Sequence, residues 1–276
     1  SHVFMQNGID MGTTSTQGAM IVPCPGNNHL YYYFNFIWDN PAFQTHFQYS
    51  VIDMDLDNGN GGVVTNQKGI RLFNNSSVHL SAVHHANGKD IWVLAHRMNN
   101  NQYYAYLVTA DSLHHAPVIS TAGSNVTGSN GYMKISPNGK RVTICTIPGV
   151  YPGFFESIYF DNETGMVNDI DLVHKELGYY GVEYSPDNTK LYISSNDLLQ
   201  YDLNAGTPQE ILASEVALTE GGTTPGALQL GPDGKIYCAI GGSGSAYYLS
   251  QIHNPNAAGL FCNFERDAVD LGGRYT

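Results

Sequence analysis

Ser136-Pro137-Asn138-Gly139-Lys140 returns as Ser185-Pro186-Asp187-Asn188-Thr189-Lys190 and again as Gly231-Pro232-Asp233-Gly234-Lys235. A looser copy, Ala86-Asn87-Gly88-Lys89, comes before them. The closing lysines fall at 89, 140, 190 and 235, so the steps are 51, 50 and 45 residues. Each copy lies between two short apolar runs. Proline presets φ, and Gly or Asn accepts positive φ, so each stretch is a hairpin turn. A hairpin returning every ~45–50 residues marks a β-propeller with one blade per repeat.

Working outward from the turns, the apolar runs group into fours. The first set is Gln17–Val22, His29–Phe36, His46–Met54 and Val63–Leu72. The second is Val78–His84, Ile91–Ala95, Gln102–Thr109 and Val118–Ser120. The third is Tyr132–Ile135, Arg141–Ile147, Phe155–Phe160 and Val167–Val173. The fourth is Gly181–Tyr184, Leu191–Ser194, Leu199–Leu203 and Glu210–Ala213. The fifth is Ala227–Leu230, Ile236–Ile240, Tyr247–Ile252 and a weak run near Phe261–Phe264, with Val269-Asp270-Leu271 opening a further connection. The runs are β-branched and aromatic, broken by Gly, Pro, Asn and Asp, which excludes a helical protein. Only Ala213–Glu220 has a helical look. The expectation is an all-β propeller of four-stranded antiparallel blades: about five, plus a fragment over Ser1–Gly8. Residues 1–276 read as a single propeller domain, a fragment of a longer chain, with the ring left unclosed.

Composition narrows the partners. The 24 acidic and 12 basic residues give a formal charge of −12. Nucleic acid requires a basic footprint, and an anionic membrane surface requires the same. No run approaches the ~20 apolar residues of a membrane span, so membrane insertion is not expected either. The four cysteines, Cys24, Cys145, Cys238 and Cys262, match no zinc or redox spacing. Cys238 and Cys262 share a blade and either pair or stay as buried thiols. A surface rich in Asn, Gln, Ser, Thr and Tyr suits an extracellular protein.

Several stretches carry possible chemistry. Asp53, Asp55 and Asp57 alternate ahead of Asn58-Gly59-Asn60-Gly61. Such carboxylates can gather calcium, which takes six to eight oxygens. However, the glycine falls one place late for a helix-loop-helix calcium loop and no glutamate closes it, so a polar hairpin fits the same residues. His84-His85, His96 and His114-His115 invite a metal, but neighbours on a strand face opposite ways. Gly242-Ser243-Gly244-Ser245 has the outline of a nucleophile elbow without the helix that should follow. Glu156, Asp161, Asp169 and Asp171 share one blade and are the acid–base candidates. No cofactor other than calcium is expected.

Beyond single motifs, the chain resembles the propeller region of large secreted surface proteins of Bacteroidetes, of the gliding-motility-associated, type IX secretion class. The stretches that carry the resemblance are Ser15-Thr16-Gln17, Tyr49-Ser50-Val51-Ile52-Asp53-Met54 and His85-Ala86-Asn87-Gly88-Lys89-Asp90-Ile91-Trp92. Ala227-Leu228-Gln229-Leu230-Gly231-Pro232-Asp233-Gly234-Lys235-Ile236-Tyr237, Asn254-Pro255-Asn256 and Val269-Asp270-Leu271-Gly272-Gly273 complete it. The resemblance implies a sevenfold ring, export, display at the outer cell surface, and adhesion or polymer binding. It brings no catalytic residues. Asp111-Ser112-Leu113 looks like the O-glycosylation motif of such proteins, which makes Ser112 a modification candidate.

Strand alternation then predicts a binding face. The recurrent turn joins strands one and two, so the loops two-to-three and four-to-next emerge at the other end. Those loops carry Trp38, Phe43, His96, Arg97, Tyr151, Tyr179, Tyr180 and Glu220. Aromatic faces and arginine anchor sugars or protein loops. Three functions stay open: a non-catalytic module binding a glycan, polymer or protein, with neighbouring domains of the same chain as further partners; a propeller enzyme such as a lactonase or quinoprotein-like dehydrogenase; and a structural spacer.

Overall fold

The computed structural model describes residues 4–12, 16–39, 44–127, 130–147, 153–175, 178–221, 224–241 and 247–274. It is an all-β propeller fold built from five antiparallel blade sheets. Blade one is β1 (Ala19–Cys24), β2 (Asn27–Asp39), β3 (Gln44–Asp53) and two short outer pieces, β4 (Gly62–Val63) and β5 (Ile70–Asn74). Blade two is β6 (Ser76–His84), β7 (Ile91–Arg97), β8 (Asn100–Val108) and β9 (Val118–Val126). Blade three is β10 (Met133–Ile135), β11 (Arg141–Cys145), β12 (Phe155–Asp161) and β13 (Met166–His174). Blade four is β14 (Val182–Tyr184), β15 (Lys190–Ser194), β16 (Leu198–Asp202) and β17 (Val216–Ala217). Blade five is β18 (Pro225–Leu230), β19 (Ile236–Ile240), β20 (Tyr248–Ile252) and β21 (Phe264–Asp270). Two compact units can be told apart: Ser1–Asn130 with Phe160–Asn168, and Gly131–Tyr159 with Asp169–Thr276.

The recurrent turns share one geometry. Gly88, Gly139, Asn188 and Gly234 all take positive φ, at 67°, 69°, 65° and 77°. One residue earlier in every copy, a carboxamide or carboxylate closes the turn. Asn87 Oδ1 accepts from the Lys89 amide at 2.9 Å, and Asn138 Oδ1 from the Lys140 amide at 3.1 Å. Asp187 Oδ1 accepts from the Thr189 amide at 3.0 Å, and Asp233 Oδ1 from the Lys235 amide at 3.3 Å. These are Asx turns, which is why Asn or Asp stands at that place in every copy.

Within each unit the first strands of successive blades touch: β1 against β6, and β10 against β14 against β18. These are the innermost strands, as the blade phasing predicts. The first unit buries Phe34, Phe36, Phe47, Val78, Leu80 and Tyr106 in one cluster. Phe36 and Phe47 pack with ring centres 5.1 Å apart. In the second unit one cluster surrounds Phe155, Tyr184, Leu191 and Tyr201, and another Tyr192, Leu228, Cys238 and Ile252. All four cysteines are buried free thiols. Burial pushes the Cys238 thiol up to about 12 and raises that of Cys145 well above its usual value.

The outer strands differ from the sequence reading. Glu210–Ala213 is not a strand but part of a short helix, Pro208–Ala213, and the fourth strand of that blade is Val216–Ala217. The helix start is a capping box: the Thr207 hydroxyl accepts from the Glu210 amide, and the Glu210 carboxylate accepts from the Thr207 amide at 2.7 Å. Pro208 sits in the first turn, where its missing N–H costs nothing. The helical stretch therefore lies before Ala213–Glu220, not along it. In blade five the outer strand is Phe264–Asp270, so Val269-Asp270 ends this strand instead of opening a new connection. Phe261 lies in a 3-10 turn and is 84% exposed. The expected run Val63–Leu72 is divided by the 3-10 turn Thr65–Gln67. Thr207→Ala is expected to lower stability by about 1 kcal/mol, the usual loss for removing such a cap. Urea unfolding followed by circular dichroism measures it, and an unchanged midpoint would contradict the capping role.

Candidate functional site

Three segments of the first unit meet around a cavity of about 520 Å³. They are the facing ends of β2 and β3, the β5–β6 link and the β7–β8 hairpin, all at the end opposite the recurrent turns. Trp38 and Gln44 come from the first, Asn75 from the second, and Arg97, Met98, Asn99 and Asn100 from the third, with Thr45 beside them.

Backbone bonds fix the walls. The Asn75 amide donates to Thr45 O at 2.7 Å, and the Met98 amide donates to Asn75 O at 2.7 Å. The Asn99 amide reaches Val126 O at 2.8 Å. The Thr45 hydroxyl donates to Ser76 O. Asn75 and Asn99 hold positive φ, 57° and 56°, a conformation asparagine tolerates better than most residues. The turns thus supply both the tight chain reversals and the side-chain amides that line the cavity.

Trp38 is 48% exposed on the strand end, paired across the hairpin with Thr45. Arg97 donates through Nη1 to Gln102 Oε1 at 3.2 Å and to Tyr104 OH at 3.4 Å. The Tyr104 ring is itself stacked on Phe73 with centres 4.3 Å apart. No carboxylate or imidazole lines this cavity among the described residues. It offers one aromatic face, one guanidinium and several amides, which is equipment for holding a polar ligand.

The other predicted residues are distributed as follows. Tyr180 is half-buried and meets Tyr132 edge-on at 5.3 Å, and Glu220 is exposed. Phe43 and Tyr151 lie outside the described residues, as does Gly242–Ser245. Two candidates are corrected: His96 and Tyr179 are 0% exposed. Each sits next to a loop, but its ring packs inside the blade. His96 lies edge-on to Tyr103, and Tyr179 edge-on to Phe155. Both faces of β7 are covered, so all of Ile91–His96 is buried, while Tyr179 packs from the segment just before β14; strand parity alone shows neither burial. Gln44, Asn75, Asn99 and Asn100 were missed too. Their signal was the amide runs Asn74-Asn75 and Asn99-Asn100-Asn101 beside strand ends.

The acidic candidates do not converge. Asp53 Oδ1 accepts from the Asp55 amide at 2.9 Å, and the Asp55 carboxylate meets His29 Nδ1 at 2.8 Å. Asp57 takes positive φ in the tight turn Leu56–Gly59. Among the described residues no group of three or more His, Cys, Asp or Glu is arranged to hold a metal ion. Asp161 closes its own turn through the Glu163 amide and the Thr164 hydroxyl, while Asp171 takes Arg141 Nε at 2.9 Å. Glu156 is buried within β12. His115 Nε2 lies 3.0 Å from Tyr49 OH, and His85 stacks on Trp92. Ser112 is exposed in a turn closed by Thr109.

On the inner strands of the second unit a polar ladder is fully paired. Lys134 Nζ lies 3.0 Å from Glu183 Oε2 and 2.8 Å from Gln229 Oε1. Glu183 Oε2 also accepts from the Leu230 amide at 2.9 Å, and Oε1 from the Tyr184 amide at 3.0 Å. Both carboxylate oxygens are engaged, so Glu183 joins strands and is not poised as an acid or base. A second cavity of about 310 Å³ lies at the recurrent turns of blades three and four, with Asn138, Lys140, Arg141 and Tyr159 on its walls.

No helix among the described residues is long and apolar enough to cross a membrane. No family model matches the chain, and no curated protein matches it. Solved structures do. A periplasmic gluconolactonase of Pseudomonas aeruginosa aligns at 14% identity and TM-score 0.52, over 74% of this chain and 59% of that one. Sqt1 of Chaetomium thermophilum aligns at 13% identity and TM-score 0.52, over 89% and 61%. A candidate 6-phosphogluconolactonase of Bacteroides fragilis aligns at 12% identity and TM-score 0.50, over 88% and 65%. The chain spans about three fifths of the length of these structures, and the likeness is one of β-propeller fold.

Proposed function

We propose that this chain is a non-catalytic, extracellular recognition module that binds a glycan through the Trp38–Arg97 cavity. One observation carries the reading: a half-exposed tryptophan face shares a 520 Å³ cavity with a guanidinium and a set of side-chain amides. A sugar ring has an apolar face that stacks on indole and hydroxyls that pair with amides. The walls are held by backbone bonds, so little ordering is left to offset on binding. The place at the cell surface follows the resemblance to exported propellers, and a composition rich in Asn, Gln, Ser, Thr and Tyr agrees with it.

Trp38→Ala is expected to weaken glycan binding about tenfold to a hundredfold, the effect of losing a central aromatic anchor. A glycan array probed with the folded protein and the variant measures it. Equal binding by both, at unchanged melting temperature, would reject the cavity. A second reading is hydrolysis of a sugar lactone, the activity in the names of two of the structural neighbours. Opening of gluconolactone, followed with a pH indicator, separates the two. Turnover well above the spontaneous rate would replace recognition with catalysis.

A further inference from the structure

We infer that the saccharide taken by this cavity is acidic, with its carboxylate set on Arg97; this rests on the glycan reading above. Several cations described in the protein have an acidic partner. Arg71 meets Asp39 at 3.0 Å, Lys134 meets Glu183 at 3.0 Å, Arg141 meets Asp171 at 2.9 Å and Lys190 meets Asp202 at 3.1 Å. Arg97 has no carboxylate partner among the described residues, although acidic residues outnumber basic ones two to one, 24 against 12. Its two hydrogen bonds go to neutral oxygens, and both leave from Nη1. They hold the guanidinium still while the Nε–Nη2 edge keeps no partner among the described residues. That edge presents two parallel N–H groups, the geometry that takes a carboxylate side-on.

Asp39, next in sequence to Trp38, is already committed to His46 and Arg71 through Oδ2, at 3.1 and 3.0 Å. No acid stands on the cavity wall among the described residues, so the guanidinium charge is unopposed there. Long-range repulsion from the net charge of −12 is screened beyond ~8 Å at physiological ionic strength. The local cation then decides which sugars enter. Trp38 supplies stacking for any ring and Arg97 selects those bearing a carboxylate.

The test uses oligogalacturonate and its fully methyl-esterified form, which share one ring and differ in charge. Trp38 emission serves as the titration signal, since the other tryptophan, Trp92, is buried. The acid should bind about tenfold tighter or more than the ester, the effect of a charged hydrogen-bonded pair. Arg97→Met should bring the two within about twofold, and Arg97→Lys should restore part of the preference, since it keeps the charge without the fork. Trp38→Ala, titrated by calorimetry, should weaken both forms alike. Equal binding of acid and ester by the parent protein, or an acid preference that survives in Arg97→Met, overturns the assignment and leaves the glycan reading standing. Tighter binding of a heparin oligosaccharide than of oligogalacturonate overturns the carboxylate in favour of sulfate. Failure of the parent protein to bind saccharide of any kind, neutral, carboxylated or sulfated, overturns the glycan reading itself.

Discussion

Gly131→Ala is expected to destabilise the second unit by roughly 3 kcal/mol or more, one of the largest single effects in the molecule. Gly131 holds φ at +128°, and a Cβ there would stand 2.0 Å from Cys145 O and 3.2 Å from Thr146 Cα. Both obstacles are backbone, in a strand whose ladder the Cys145 amide shares with Tyr132 O at 2.8 Å. Neither strain nor overlap can be relieved by a side-chain rotation. Gly181→Ala should be comparable, because its Cβ would lie 2.2 Å from Gly226 O. Gly226→Ala, at 3.1 Å from Ala239 O, should cost less. Gly221, with nothing within 4 Å and no positive φ, is the neutral control. Chemical unfolding followed by far-ultraviolet circular dichroism ranks the four. If Gly131→Ala falls within about 1 kcal/mol of the parent, the close approach of Gly131 to the Cys145 carbonyl is wrong.

These glycines show what the sequence disclosed and what it withheld. Gly131, Gly181 and Gly226 each stand at the start of an inner strand, four or five residues ahead of a recurrent turn. The turns were legible because their requirement is local: positive φ and an Asx closure act within five residues. The glycines answer to a neighbouring strand, and no local rule announces that. The same division explains the outer strands. Val216–Ala217 has two residues, too few for period-two alternation, while the louder pattern Glu210–Ala213 belonged to a capped helix. At the site, alternation placed Trp38 and Arg97 at one end correctly. It does not announce the burial of His96, on a strand covered on both faces, or of Tyr179, which precedes β14. Gathering Trp38 with Arg97 depended on bonds between three segments, from Thr45 through Asn75 to Met98, which sequence spacing does not encode.

Stability of the first unit should fall as pH drops below about 6.5, and His96 should account for a measurable share. The ring is fully buried on β7, and among the described residues neither Nδ1 nor Nε2 has a hydrogen-bond partner of good geometry, only a weak opposing contact with the Arg97 backbone. Tyr103 closes on it edge-on at 4.5 Å. Burial, with His79 adding repulsion, lowers its pKa from the usual 6.5 to about 3. Above pH 6.5 the ring is neutral in both the folded and the unfolded chain and contributes no slope. Between 6.5 and about 3 the unfolded chain binds a proton that the folded chain refuses, so acid favours unfolding. The slope approaches about 1.4 kcal/mol per pH unit, which amounts to roughly 2 kcal/mol by pH 5. Other groups titrate in the same range, so the comparison must be with a variant. His96→Phe keeps a planar ring and removes both the titration and two unpaired buried nitrogens. It should be more stable than the parent at pH 7.5, by about 1 kcal/mol, with the gap widening steadily to pH 5. Both tryptophans, Trp38 and Trp92, belong to the first unit with His96, so tryptophan emission during urea unfolding reads the relevant transition. Parallel stability curves for parent and variant between pH 7 and 5 would mean that the buried ring holds its proton after all.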